Sequence, residues 1–151
     1  MLDDPRITAM GLFVEAYTGL TARFAVQFAQ HKLGAVDFEV LVRLARSGGG
    51  ELRMTDLAAQ TGLSTSGVTR VVDRLERDGL AQRRACPTDR RGAFTVITDA
   101  GQAKILDVLP GHLQLIEDWF TGRLPDGQLD EVLAGLRVVR DAVRPEATSG
   151  V

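Results

Sequence analysis

Apolar and weakly polar side chains recur at alternating steps of three and four near the start of the chain, at Ile7, Met10, Val14, Tyr17, Thr21, Phe24, Phe28 and His31. That spacing keeps one helical face in register and resembles a coiled-coil seam. Asp4-Pro5 supplies an N-cap and a proline at the first helical position, so a helix is predicted from about Pro5 to Lys32. Such a helix would be on the order of 40 Å long at ~1.5 Å per residue. One small domain cannot cover it, and part of the seam is predicted to meet another chain.

A second helix follows, with Phe38, Leu41, Val42 and Leu44 on one stripe and the glycine run at 47 to 50 as its stop. The segment ELRM is short enough for one small strand. Thr55 is placed to cap a brief helix through Leu57, Ala58 and Ala59 that ends at Gly62, and Ser64 to cap the next. On that next helix Val68, Val71, Val72 and Leu75 fall at i, i+3, i+4 and i+7, and Gly79 ends it. Two short helices around a glycine turn form a helix-turn-helix candidate.

The pattern then changes to period two. Leu80 to Ala85 and Ala93 to Ile97 read as strands, joined by the turn formers of CPTDRRG into a hairpin. Thr98 caps a long helix with Ala103, Leu106, Leu109, Leu113, Ile116 and Phe120 on one stripe. Pro110 inside it removes a backbone hydrogen bond, so a kink or break is predicted near Leu106 to Pro110. A last helix, with Asp126 as its cap, carries Leu129, Val132, Leu133, Leu136, Val139 and Val143. The tail from 146 to 151 is predicted to be disordered.

With 151 residues, 44% of them hydrophobic, the chain can bury one sizeable core. No apolar run approaches the roughly 20 residues that span a bilayer, and the first residues lack a secretory pattern, so a cytoplasmic protein without membrane contact is expected. One cysteine permits no internal disulfide, and two histidines beside it make a metal site improbable. No nucleophile elbow, phosphate loop, zincin or dinucleotide motif is present, and the glycine run follows a helix instead of a strand. An enzyme is not expected, nor a cofactor.

Charge sharpens the picture. The net charge is -2, yet between Ser64 and Gly92 seven arginines face four acids, a local +3, while eleven basic and sixteen acidic residues elsewhere leave -5. A basic island on an acidic body suits a localised phosphate-binding surface. On the helix after Ser64, the four apolar positions turn Thr65, Ser66, Thr69, Arg70 and Asp73 outward. Its first turn offers hydroxyls and free N–H groups to phosphate, and Arg70 and Arg74 can reach base edges in a major groove.

The segment STSGVTRVVDRLERDGLAQRRACPTDRRGAFTVITDAG, with the element order around it, resembles the MarR (multiple antibiotic resistance regulator) family of winged-helix transcription regulators. The matching pieces are the recognition helix, the exit Leu75, Gly79, Leu80, the wing signature Asp89, Arg91, Gly92 and the helix start Thr98, Gly101. The resemblance implies a mainly α fold with a small β-hairpin wing, a winged helix-turn-helix lobe plus a helical dimerisation lobe. Residues 35–97 would form the DNA-binding lobe, and 1–34 with 98–145 the dimerisation region. It implies a sequence-specific transcription regulator, a repressor acting as a homodimer on a pseudo-palindromic double-stranded operator.

The resemblance further implies DNA contact by Ser64, Thr65, Ser66, Thr69, Arg70 and Arg74, and by the wing. There Arg91 enters a minor groove and Asp89 fixes the wing, while Arg90 either faces phosphates or shares the role of Arg91. It also implies release by a small aromatic or phenolic effector, in a pocket lined by candidates Phe24, Phe28, His31 and Phe38. Two alternatives stay open. One is a winged-helix module that docks an acidic protein; the other is a thiol-responsive regulator using Cys86, whose thiol Arg83 and Arg84 would acidify. An unreactive Cys86 is the simpler expectation. His31 and His112 would meet if the first and fifth helices pack, as satisfied polar residues or pocket donors rather than metal ligands. Trp119 and Phe120 read as packing residues.

Overall fold

The computed structural model describes residues 3–85 and 92–148. Its helices are α1 (Pro5–Gln30), α2 (Ala35–Arg46), α3 (Met54–Thr61), α4 (Thr65–Arg77), α5 (Asp99–Trp119) and α6 (Gln128–Val143). Its strands are β1 (Glu51–Arg53), β2 (Ala81–Ala85) and β3 (Ala93–Ile97), and 3-10 turns occupy Gly48–Gly50, Thr121–Arg123 and Pro145–Thr148. The predicted order of elements is therefore present. Three of the caps are made as read: Asp4 Oδ1 accepts from the Arg6 N–H at 2.9 Å, Ser64 Oγ from Gly67 at 3.1 Å and Thr98 Oγ1 from Gly101 at 3.0 Å.

The three strands form an antiparallel sheet in the order β1-β3-β2, with Leu52 and Arg83 flanking Thr95 from either side. Thr95 is fully buried, and its hydroxyl points at Met54 Sδ, 3.0 Å away. One continuous apolar core joins Val40, Leu41 and Leu44 of α2, Leu57 of α3, all four apolar positions of α4 and Ile97 of β3. Phe28 and Leu33 enter it from α1 and its exit, and Ile105 and Val108 from α5. The expected boundary between a DNA-binding lobe and a helical region is thus crossed by core residues. Each fully buried aliphatic side chain stabilises by roughly 1.5–3 kcal/mol.

The exit of α4 and the entry of α5 meet at one junction. Gly79 adopts φ +72°, which lets the Leu80 N–H turn back to the Leu75 carbonyl at 2.8 Å. Thr98 Oγ1 donates to the Gly79 carbonyl at 2.7 Å, and the Thr98 N–H to the Leu80 carbonyl at 3.1 Å. The spaced residues Leu75, Gly79, Leu80, Thr98 and Gly101 therefore build one contact that sets the hairpin against both helices.

Several expectations need correction. Helix α5 runs through Pro110 as one helix, without a break. Its buried residues are Gly101, Ile105 and Val108, whereas Leu106 and Leu113 of the predicted stripe are exposed. Arg53, not Thr55, precedes α3, and Gly127 in a left-handed conformation, not Asp126, precedes α6; neither makes a side-chain cap. Residues 146 to 148, expected to be loose, belong to the turn Pro145–Thr148, which lies against α3. No helix among the described residues is long and apolar enough to cross a membrane.

Candidate nucleic-acid interface

Helix α4 buries Val68, Val71, Val72 and Leu75 and turns Thr65, Ser66, Thr69, Arg70 and Asp73 outward, as its periodicity requires. The Ser64 hydroxyl is used by the cap and lies 3.1 Å from Ser66 Oγ, while Thr69 Oγ1 donates to the Thr65 carbonyl at 2.9 Å. The first turn keeps its remaining N–H groups for an external acceptor. Arg70 is exposed and makes no ion pair or hydrogen bond among the described residues.

The other described arginines of the basic stretch, Arg74, Arg77, Arg83 and Arg84, are engaged, which sequence reasoning missed. Arg74 reaches sideways to Asp37 of α2, with Nη2 2.6 Å from Oδ1 and Nε 3.4 Å from Oδ2. That hydrogen-bonded carboxylate raises the guanidinium pKa further above its ordinary value. Arg77 pairs with Asp78 at 3.3 Å. Arg83 of β2 donates to Glu76, to Asp73 at 2.7 Å and to the Thr69 carbonyl at 3.3 Å, and its N–H donates to Glu76 Oε1 at 2.6 Å. Arg84 pairs with Glu51 of β1, with its guanidinium beside the Phe94 ring. Asp37 and Arg74 are 37 positions apart, so no local pattern signals their pairing.

The hairpin closes toward its tip through the pair Ala85 and Ala93. Cys86, Asp89, Arg90 and Arg91 lie outside the described residues. What the structure supplies for the wing is its base, tied to α4 through Arg83.

Of the residues expected to line an effector pocket, Phe24, Phe28 and Phe38 come together around His112. Their ring centroids lie 4.7, 4.9 and 5.1 Å from that of His112, and Phe28 lies 4.7 Å from Phe38. Burial lowers the His112 pKa, because desolvation disfavours the charged ring. His31 stands apart from this cluster, its Nδ1 2.9 Å from Asp107 Oδ2, so the two histidines have separate surroundings. Beside the cluster, Gln27 Nε2 donates to the Val108 carbonyl at 3.0 Å, and a cavity of about 380 Å³ opens between α1 and α5 at Arg23, Gln27, Gly111 and Leu115. Trp119 lies under the Arg23 guanidinium at 3.5 Å. No group of acidic, histidine or cysteine side chains among the described residues is arranged to hold a metal ion.

Comparison with known proteins gives consistent matches. A family model described as MarR family matches residues 31–92. The HTH-type transcriptional regulator MhqR of Bacillus subtilis (strain 168) is 32% identical over 103 residues, 68% of this chain and 70% of that protein. The crystal structure of Sco3205, a MarR family transcriptional regulator from Streptomyces coelicolor in complex with DNA, superposes with TM-score 0.86 at 30% identity, covering 91% of this chain and 87% of that one. BpsR of Bordetella bronchiseptica, whose DNA binding is regulated by 6-hydroxynicotinic acid, superposes with TM-score 0.77 at 27% identity, covering 87% and 91%.

Proposed function

This chain belongs to the MarR family of winged-helix, DNA-binding transcription regulators, which are not enzymes, and from that premise we propose that it is a homodimeric repressor of a pseudo-palindromic operator, released by a small effector. The observation that carries the DNA-binding reading is the outward face of α4. Thr65, Ser66, Thr69 and Arg70, which has no partner among the described residues, project from a helix whose opposite face is locked in the core. A first turn that binds phosphate and an arginine one turn later that reads a guanine edge is the arrangement a major groove accepts. Asp89, Arg90 and Arg91 at the wing tip would add minor-groove contact.

The homodimer is supported by apolar surface that one chain leaves open. Helix α1 exposes Ile7, Met10, Leu12, Phe13 and Tyr17, α6 exposes Val138, Val139 and Val143, and an apolar groove of about 410 Å³ runs between Met10, Phe13, Leu136 and Val139. Two-fold pairing would place two copies of α4 about one DNA turn apart, roughly 34 Å. Effector release is supported by the regulation of BpsR by 6-hydroxynicotinic acid. In this chain the proposed responsive region is the cluster of Phe24, Phe28 and Phe38 around His112, which joins the dimerisation helices to α2.

Retardation of DNA from the flanks of the protein's own gene, titrated with salt and repeated with phenolic and other small aromatic compounds, tests the reading. Binding should weaken steeply with salt. Arg91→Ala should cost about 1–3 kcal/mol and lower the salt slope by about one. Asp89→Ala should also weaken binding although it removes a negative charge, because the carboxylate positions the wing. Tighter binding by Asp89→Ala would reduce the wing to a charged loop. A protein that shifts no DNA but captures an acidic partner would replace the DNA-binding reading altogether.

A further inference from the structure

Two arginines one helical turn apart on α4 have opposite surroundings, and the difference assigns them different work. Arg70 is exposed without a partner among the described residues, whereas Arg74 holds both oxygens of Asp37 on α2. We infer that Arg74 is a positioning residue that sets the angle of α4 on the operator through Asp37, and that Arg70 is the base-reading arginine of this helix; this rests on the DNA-binding reading above.

The carboxylate of Asp37 is a fixed anchor. Its side chain keeps 13% of its exposure and sits in the first turn of α2, where the helix dipole favours an anion. Gly34 leaves it room, since a Cβ there would lie 2.9 Å from Oδ2. The next residue, Phe38, is wedged between Phe28 and His112, so α2 cannot slide without disturbing the contact with α1 and α5. Drawing Arg74 away to a phosphate would leave a buried carboxylate without its partner, which is costly. On the other flank Arg83 holds Asp73 and Glu76. The recognition helix is therefore gripped from α2 and from β2, and Arg70, between the two grips, has no partner among the described residues. Because Asp37 neutralises Arg74, the pair adds no net charge toward a polyanion.

Operator titrations at several salt concentrations, with the active fraction fixed by stoichiometric titration and folding checked by thermal melts, test this on the full chain. Arg74→Gln and Asp37→Asn should each weaken operator binding by about ten-fold, and the double variant should be no weaker than either one, since both remove a single interaction. Arg74→Gln should not change the salt slope, because the arginine it removes makes no phosphate contact. Arg74→Lys should behave like Arg74→Gln, because an ammonium keeps the charge but cannot engage both oxygens as a fork. Arg70→Ala should lower the slope by about one and flatten preference at one base pair. A slope reduced by about one in Arg74→Gln, wild-type affinity in Arg74→Lys, or tighter binding by Asp37→Asn would each overturn the inference, because each is what a direct phosphate contact predicts. If Asp37→Asn fails to fold, Arg74→Gln and Arg74→Lys decide the matter, as Arg74 is half-exposed. Failure of the wild-type protein to retard any operator would instead remove the DNA-binding reading itself.

Discussion

Gly101 has no room for a methyl group. A Cβ there would lie 2.1 Å from the Leu80 carbonyl oxygen and 2.8 Å from Ile97 Cγ1, so the first turn of α5 rests directly on the backbone that leaves α4. Gly79, at the same junction, has nothing within 4 Å of where its Cβ would be and is constrained only by φ +72°. The two glycines therefore differ in kind. Gly101→Ala is expected to destabilise by about 3 kcal/mol or more, through overpacking against backbone that cannot give way. Gly79→Ala is expected to cost only about 1–2 kcal/mol, the strain of a left-handed non-glycine residue. Urea denaturation of both variants measures the contrast, and equal losses would mean that α5 can shift to accept the methyl group.

Among the elements, α3 is finished by a residue from the far end of the chain. Arg144, just after α6, donates from Nη2 to the Gln60 carbonyl at 3.0 Å and the Ala59 carbonyl at 3.4 Å, beside the left-handed Gly62 that ends α3. A guanidinium suits this place because the last carbonyls of a helix lack internal donors and carry the negative end of its dipole. Through it α6 grips the first helix of the helix-turn-helix pair. Arg144→Ala is expected to lower stability by about 1 kcal/mol and to speed amide exchange in the last turn of α3 well before global unfolding. Uniform exchange in both proteins would show that Gly62 alone suffices as the stop. Helix α5 shows how context decides an interruption. Pro110 and Leu106 are both exposed, so the hydrogen bond that the proline removes lies on the outer face of the helix, where its loss is cheapest, and the helix continues.

For the whole molecule the decisive feature is the imbalance between covered and open apolar surface. Helix α1 buries only Gln27 and Phe28 of its 26 residues, and α6 buries none of its 16. Helices of this composition gain most of their stability from packing an apolar face, so a partner that covers α1 and α6 would contribute to folding as well as to assembly. Val139→Glu puts a charge into the apolar groove between α1 and α6. Sedimentation equilibrium is expected to show wild-type dimer and a variant shifted to monomer, with weaker operator binding because two half-sites are no longer engaged together. A wild-type monomer that binds its operator with full affinity would end the dimer proposal.

What the sequence determined by itself was local. Periods of 3.6 and 2.0 are properties of neighbouring residues, so the apolar spacing on α4, the caps at Asp4, Ser64 and Thr98, and the alternation in β3 were legible without any fold. So was the outward face of Thr65, Ser66, Thr69 and Arg70, since burial of four valine and leucine positions leaves no other side for them. The surplus of arginine was legible as a sum but not as an arrangement. Which arginine is spent on Asp37, on Glu76 or on Glu51 depends on chain segments brought together by the core, and only tertiary structure sets those distances. The same holds for the aromatic cluster. Phe24, Phe28 and Phe38 were readable as apolar positions, but it is the packing of α5 against α1 and α2 that puts His112 rather than His31 among them.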